Sequence, residues 1–408
     1  MATETTPRHP GLSHGPIYLD YNATTPVDPR VVEAVLPYLT EHFGNPSSTH
    51  HYGQAARQAI REARGEVAHL LGAHTDEIVF TAGGSDADTL AIRGAARANR
   101  DRGNHVITQA TEHPAVLEAC RSLQADGFRL TILPVNHYGQ VDPADLEQAI
   151  SGDTTLVSIM LANAETGTLQ PITQLARIAH AHGALFHTDA AQAAGKILID
   201  VSELGVDLLT VVGHKMYAPK GVGALYVRSG TRLQPTIHGG GQEQGLRAGT
   251  ENVALITALG AASRIAADSL PASASQLTDL RDHLYQRLTE LLPDRVSLNG
   301  HPEHRLPGTL NVSISNTRGA DVLAATPGIA AATGSACHEG VDEPSPVLSA
   351  MGQPPERALA ALRFSLGRWT TVIETDEAAR QIAAAVVHLT APNIRPSPIS
   401  PRPPRTTT

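Results

Sequence analysis

Cysteine is scarce in this chain: Cys120 and Cys337 are the only two thiols in 408 residues. That excludes a disulfide framework and a cysteine-rich metal site, and makes a reduced, cytoplasmic setting the expectation. No metal is expected, because the twenty histidines show no HxxxH spacing and there is no CxxC pair. No apolar run comes near the roughly 20 residues that a membrane span requires, so no membrane partner is expected. The opening segment MATETTPRHPGLSHGP lacks the apolar core of a secretory signal. Basic residues are scattered over a chain of net charge −9, which argues against a nucleic-acid-binding face. Lysine is nearly absent. Of 31 basic residues, only Lys196, Lys215 and Lys220 are lysines. A reaction that used a lysine covalently would have three candidates.

What remains is an ordinary globular composition, 41% hydrophobic and 17% charged. The length predicts two or three domains, or one large α/β unit with an appendage. Residues 1–16 and the proline-rich 392–408 read as tails without a fold. Between them helical and strand signals alternate. Helices are predicted over 29–39, 54–72, from the turn TAGGS through Leu90 to Ala98, 115–127 and 172–183. Short apolar strands are predicted over 77–80, 105–109, 128–135, 155–162, 184–190, 207–213 and 223–229. Strands without polar alternation, separated by helices, indicate a mostly parallel sheet buried on both faces. A long helical stretch over 251–292 ends the alternation, followed by strands at 295–299, 308–315 and 362–366 and a helix at 376–389. This predicts a second, smaller α+β domain, with boundaries at 17–265 for the large domain and 266–391 for the small one.

Four segments carry chemistry. Lys215 follows a buried strand in TVVGHKMYAPKGVGALYV. A lysine where water is scarce loses pKa and becomes a nucleophilic amine; an exposed loop lysine is the plain alternative. Lys220 reads as a turn residue, and Lys196 as a loop or strand-edge residue. Asp189 ends an apolar strand in FHTDAAQAAGK, at the sheet edge where α/β proteins bind ligands. A carboxylate there either keeps a pyridinium nitrogen protonated, making pyridoxal phosphate an electron sink, or simply caps a helix. The turn VFTAGGSDADTL joins a strand to a helix start through glycines and a hydroxyl, the makings of an anion site. It is neither a Walker loop nor GxGxxG. Cys337 sits in the polar segment TGSACHEGVDE, which suits a reactive thiol, whereas Cys120 within AVLEACRSL has the apolar surroundings of a structural one.

Together, YLDYNATTPVDPR (18–30), HFGNPSSTH (42–50), TEHPAVLE (111–118), SIMLANAETGTLQPI (158–172), HTDAAQAAGK (187–196), GHKMYAPKGVGALYV (213–227), GGGQEQGLRAGTEN (239–252), TGSACHEG (333–340) and LRFSLGR (362–368) resemble the cysteine desulfurases. These are pyridoxal-phosphate enzymes of the class V aminotransferase group. The resemblance spans 17–389, and residues 336–352 are especially similar to the selenocysteine lyase branch. It implies a fold-type I architecture, with a large domain on a mostly parallel seven-stranded sheet and a smaller α+β domain. It implies a homodimer that takes L-cysteine, or selenocysteine, and hands sulfur to an acceptor protein. By position, Lys215 matches the Schiff-base lysine, Asp189 the partner of the ring nitrogen, and His113 the stacking imidazole that also acts as acid and base. Gln192 matches the residue bonding the phenolic oxygen, and Asn163 a further cofactor-binding residue. Gly84, Ser85 and His214 match phosphate ligands, and Thr250 the one lent by the neighbouring subunit. Arg363 and Asn45 match the clamp on the substrate carboxylate, and Cys337 the sulfur-accepting thiol.

The chain departs from that pattern in places. Ala164 stands where a second asparagine usually touches the phenolic oxygen, Val212 where many members have a phosphate-binding serine, and Ala218 where glycine is usual. The turn 84–89 reads Gly-Ser-Asp-Ala-Asp-Thr rather than Ala-Thr-Glu-Ser-Asn-Asn. Rival readings are a selenocysteine lyase, a C–S lyase, epimerase or transaminase of the same fold, and a sulfur-carrier scaffold without catalysis.

Overall fold

The computed structural model describes residues 8–333 and 343–391. The tail residues 1–7 and 392–408, and the segment 334–342 with Cys337, lie outside the described residues.

After β1 (Ile17–Tyr18) come α1 (Pro29–Thr40) and α2 (His51–Leu71). The start of α1 is written locally, with Pro29 in its first turn and the Asp28 carboxylate accepting from the Arg30 N–H. The end of α2 is Gly72, left-handed at φ 66°. Strands and helices then alternate: β2 (Ile78–Thr81), α3 (Gly84–Thr89), a π-helical turn Leu90–Gly94 leading into α4 (Ala95–Ala98), β3 (His105–Gln109), α5 (Pro114–Ser122), β4 (Arg129–Leu133), α6 (Pro143–Ala149), β5 (Thr154–Ser158), α7 (Ile172–Ala181), β6 (Leu185–Asp189), α8 (Val201–Leu204), β7 (Leu208–Val212) and β8 (Gly223–Val227). The seven strands β2–β8 form one sheet in the order β2-β8-β7-β6-β5-β3-β4. All neighbours are parallel except β8, which runs antiparallel to both β2 and β7. Strands β2, β3, β5 and β7 are buried at every position, which is why they read as continuous apolar runs.

The rest is α9 (Val253–Leu291), β9 (Val296–Leu298), β10 (Thr309–Ile314), α10 (Gly319–Ala324), β11 (Ile329–Ala330), α11 (Pro346–Ala350), α12 (Pro355–Leu359), β12 (Ala361–Ser365) and α13 (Val372–Thr390). Here β12, β10 and β9 make an antiparallel sheet. At 1.5 Å per residue, α9 is about 58 Å long. Its early residues Ile256, Leu259, Ala262 and Ala266 join the core under the large sheet. Its late residues Leu280, Leu284 and Leu288 join the core of the smaller one. Gly260 lets α9 lie against α2, since a β-carbon there would come within 2.5 Å of the Ala63 Cα. By length and composition α9 is long and apolar enough to cross a membrane, with mean hydropathy 1.4 over its best window. This corrects the reading that no such run exists. The apolar character is spread over alanines rather than large side chains, and 61% of that window is buried inside the protein.

The N-terminal segment departs furthest from expectation. Ile17 and Tyr18 pair in parallel with Ile329 and Ala330, and Leu19 is buried in the smaller core. The Asp28 N–H donates to the Tyr217 carbonyl at 3.0 Å, while its carboxylate pairs with Arg368. Residues 17–28 therefore stitch the smaller core to the end of β7. Residues 9–12, assigned no fold from the sequence, are also tied down. The His9 ring packs on Trp369 at 4.8 Å, and its Nε2 bonds the Val27 carbonyl at 2.9 Å.

Candidate active site

The six strands of the large sheet that share one direction end at its carboxyl edge, where open α/β sheets bind ligands. Lys215 lies in the 3-10 turn Gly213–Lys215 directly after β7. Its Nζ donates to the carbonyls of Asn22 at 2.6 Å and Ala23 at 2.9 Å. Burial, then the Arg363 charge, draws its pKa down to about 8, against the pull of Asp189 and Asp20. About a tenth of the amine is then free at pH 7, far more than at the ordinary lysine value, which is what a nucleophilic lysine needs.

Asp189 ends β6, is buried, and accepts from the Ala191 N–H at 2.8 Å. Burial raises its pKa, opposed by that N–H and by the charges of His113 and Lys215. His113 is the N-cap of α5, its Nδ1 accepting from the Ala115 N–H at 3.1 Å. The protein packed around it depresses its pKa, Asp189 opposes this, and Lys215 adds to it. Asp189 and His113 each feel the other and Lys215, so one amine, one carboxylate and one imidazole surround a common space.

The turn after β2 completes one side. Gly83 sits at φ 140°, and a β-carbon on Gly84 would meet Val212 Cγ2 at 2.8 Å. The absence of a side chain thus lets the start of α3 lie close against the end of β7. Ser85 is exposed there. Asp86 fixes the turn, accepting from the Ala82 N–H at 2.8 Å and pairing with Arg247 at 3.1 Å. His214 bonds Thr24 Oγ1 at 3.1 Å. Burial, then its three lysine neighbours, brings the His214 pKa to about 4, so the ring is uncharged at neutral pH. Anion-binding N–H groups, an amine and a buried carboxylate fit the phosphate, aldehyde and ring nitrogen of pyridoxal phosphate.

Arg363, on β12, reaches the same space from the smaller sheet. It is 9% exposed. Its Nη2 donates to Asp20 at 2.7 Å and its Nη1 to the Ala164 carbonyl at 3.3 Å, while Nε has no partner among the described residues. A buried guanidinium with a spare N–H suits an incoming carboxylate. Asn163 is buried with its side chain spent on its own turn, accepting from the N–H groups of Glu165 and Thr166 at 2.9 Å and donating to the Thr111 carbonyl at 3.1 Å. Asn45 is exposed and accepts from the Ser47 N–H at 2.9 Å. Thr250 is exposed in the loop before α9.

Two residues were missed. Asn22 uses every polar atom it has. Its carbonyl accepts from Lys215 and from Gln192 Nε2 (3.0 Å), its Oδ1 from Lys196 (3.0 Å), and its Nδ2 donates to the Ala164 carbonyl (3.0 Å) and Thr309 Oγ1 (2.9 Å). The only sequence signal was its place inside YLDYNATTP. Lys196, read as a loop or strand-edge residue, instead donates into the site, to Gln192 Oε1 at 2.8 Å and to Asn22.

Residues 17–377 match the family described as Aminotransferase class-V. The chain is 48% identical over 357 residues to the cysteine desulfurase IscS of Dictyoglomus turgidum, covering 87% of this chain and 90% of that protein. Among solved structures it is similar to a NifS-like protein, at 36% identity and a TM-score of 0.85 over 91% of this chain and 100% of that one. It is also similar to SspA in complex with cysteine, at 37% identity and a TM-score of 0.77 over 87% and 99%.

Proposed function

The chain belongs to the class-V aminotransferase family as a pyridoxal-phosphate-dependent cysteine desulfurase, and on that premise we propose that it converts L-cysteine to L-alanine and passes the sulfur to its own Cys337. The observation that carries this reading is the meeting of Lys215, Asp189 and His113 at one sheet edge with a spare N–H of Arg363 beside them. The cofactor, when bound, supplies an aldehyde for the substrate amine and a ring that takes up the electron pair left at Cα.

The protein's residues divide the remaining work. Lys215 would offer its amine to the aldehyde and, when free, would accept the Cα proton at Nζ. Asp189 would keep the ring nitrogen protonated through its buried carboxylate. His113 would stack on the ring and move a proton to or from the substrate. Gln192 would bond the phenolic oxygen. The Gly84–Ser85 turn and His214 would hold the phosphate. Arg363 orients the substrate carboxylate, with Asn45 assisting.

Cys337 lies outside the described residues, but both ends of its segment are anchored beside the site. Ala332 bridges to Arg363, and Ser345 Oγ donates to Glu165 Oε2 at 2.7 Å. Cys337 follows Thr333 by four residues, a reach of up to about 14 Å. Its thiolate forms a bond to the substrate sulfur as the substrate's Cβ–S bond breaks. Protonation at Cβ releases alanine, and a separate acceptor protein takes the sulfur onward.

The working unit in this reading is a homodimer. Thr250 serves the phosphate of a second copy. An exposed apolar face on and beside α1 supports such an interface: Val32, Leu36, Leu39 and Phe43, the last stacked on Tyr52 at 5.2 Å.

The test is Cys337→Ala, which keeps the cofactor's visible absorbance and loses sulfide release from cysteine. Full retained sulfide release refutes the role of the thiol. Running the same assay on selenocysteine separates a desulfurase from a lyase, because selenium leaves more easily and needs the thiol less.

A further inference from the structure

Lys196 and Gln192 occupy one turn of the segment after β6, four residues apart. The Asn22 backbone carbonyl can only accept, so the NH₂ end of the Gln192 amide faces it and the carbonyl end faces Lys196 at 2.8 Å. Burial, then the charges of Lys215 and Arg363, lowers the Lys196 pKa to about 7, and in its ammonium form the side chain has three N–H donors and no acceptor, which holds the amide in that sense. One of the amide's two N–H bonds goes to the Asn22 carbonyl at 3.0 Å, and the second is left for the space in front of Lys215. The same ammonium holds Asn22 Oδ1 at 3.0 Å, so a single side chain sets both an amide and the carbonyl-bearing residue that Lys215 Nζ touches.

We propose that Lys196 is a positioning residue that locks the Gln192 amide with its N–H toward the phenolic oxygen of the cofactor. This rests on the proposed placement of the cofactor over Lys215 and Asp189. The role is made sharper by Ala164. That position carries no side-chain amide and contributes only its carbonyl, which accepts from Asn22 and Arg363. With the cofactor placed as proposed, Gln192 is the side-chain amide among the described residues that would offer that oxygen an N–H, and its orientation decides whether the oxygen meets a donor or a repelling carbonyl. The charged groups facing Lys196 are Lys215 after β7 and Arg363 on β12. Arg368, Tyr21 and Tyr217 line a small cavity with it. None of these is an anion that could replace Gln192 Oε1 as its acceptor.

A donor at the phenolic oxygen favours its ionised form, so losing that donor raises the pH at which the bound cofactor's visible band titrates. The experiment compares wild-type holoprotein with Lys196→Met and Lys196→Arg. Lys196→Met is expected to raise the titration midpoint by about half a unit to one unit and to weaken cofactor binding to the apoprotein about threefold to tenfold, the loss of one hydrogen bond. Lys196→Arg, also a pure donor, is expected to restore the midpoint. Should Lys196→Met fail to fold, Lys196→Gln carries the test with the same expectation, because an amide at 196 does not dictate which end of Gln192 faces it. A midpoint and affinity unchanged in the Met or Gln variant overturn the proposal. A wild-type protein that takes up no cofactor overturns the underlying placement instead, so the two failures are distinguishable.

Discussion

Lys215 Nζ donates to the backbone carbonyl of Asn22 at 2.6 Å, across 193 residues of sequence. The contact joins the end of β7 to a segment that pairs with the smaller sheet, since the Asn22 N–H donates to Ser365 Oγ at 2.9 Å. The amine is thus held by backbone oxygens rather than by a carboxylate. Carbonyls orient it without stabilising its charge as fully as an anion does, and burial keeps its pKa near 8.

The rate at which apoprotein takes up pyridoxal phosphate tests this directly. Only the free amine attacks an aldehyde. The rate is expected to climb about tenfold per pH unit below pH 8 and to level off above it. A lysine at its ordinary 10.5 would keep accelerating up to that value. The growth of visible absorbance after mixing, measured across this range, distinguishes the two.

Arg363 is predicted to set cysteine affinity. Its Nη2 donates to Asp20 and its Nη1 to the Ala164 carbonyl, and with Nε unpartnered among the described residues the guanidinium keeps N–H groups for the substrate. Arg363→Lys keeps the charge and loses the fork. KM for cysteine should rise about tenfold or more, with the cofactor's absorbance retained. An unchanged KM would remove Arg363 from the substrate clamp.

Glu112 precedes His113 and is buried, with Oε1 accepting from the Met160 N–H at 2.6 Å and from Gln109 at 3.0 Å, and Oε2 without a partner. Burial pushes its pKa up to about 8, against the Met160 N–H. An unfolded glutamate ionises near 4.5, so between that pH and 8 the unfolded chain binds fewer protons than the folded one. Stability from this group is full below pH 4.5 and declines as pH rises toward 8. Glu112→Gln removes the effect. The variant should melt within about 1–2 °C of wild type at pH 5 and several degrees higher at pH 8.

Gly260 is predicted to be a packing requirement. A valine there would press on Ala63, where even a β-carbon lies 2.5 Å from the Cα. Overpacking of this kind costs about 1–3 kcal/mol. Gly260→Val should lower the melting temperature by several degrees.

Much of the large sheet was legible because its strands are buried on both faces and bounded by proline and glycine signals, as at Asp28–Pro29 and Gly72. The ends of β3 at His105 and Gln109 match the sequence reading to the residue. The short helices α6, α10, α11 and α12 were not legible, since one or two turns give too little periodicity. Lys215, Asp189 and Gly84 could be picked out because each sits at a strand end or a glycine turn. Asn22 and Lys196 could not, because their roles arise from contacts that close only when the N-terminal segment crosses to the large sheet. The tie of His9 to Trp369 escaped for the same reason.

Reduction of the holoprotein with borohydride, followed by peptide mapping, tests the central claim most directly. Three lysines offer three possible outcomes. The account predicts a phosphopyridoxyl group on the peptide containing Lys215 and on neither Lys196 nor Lys220. An adduct on Lys196, or none at all from protein that has been given the cofactor, contradicts it.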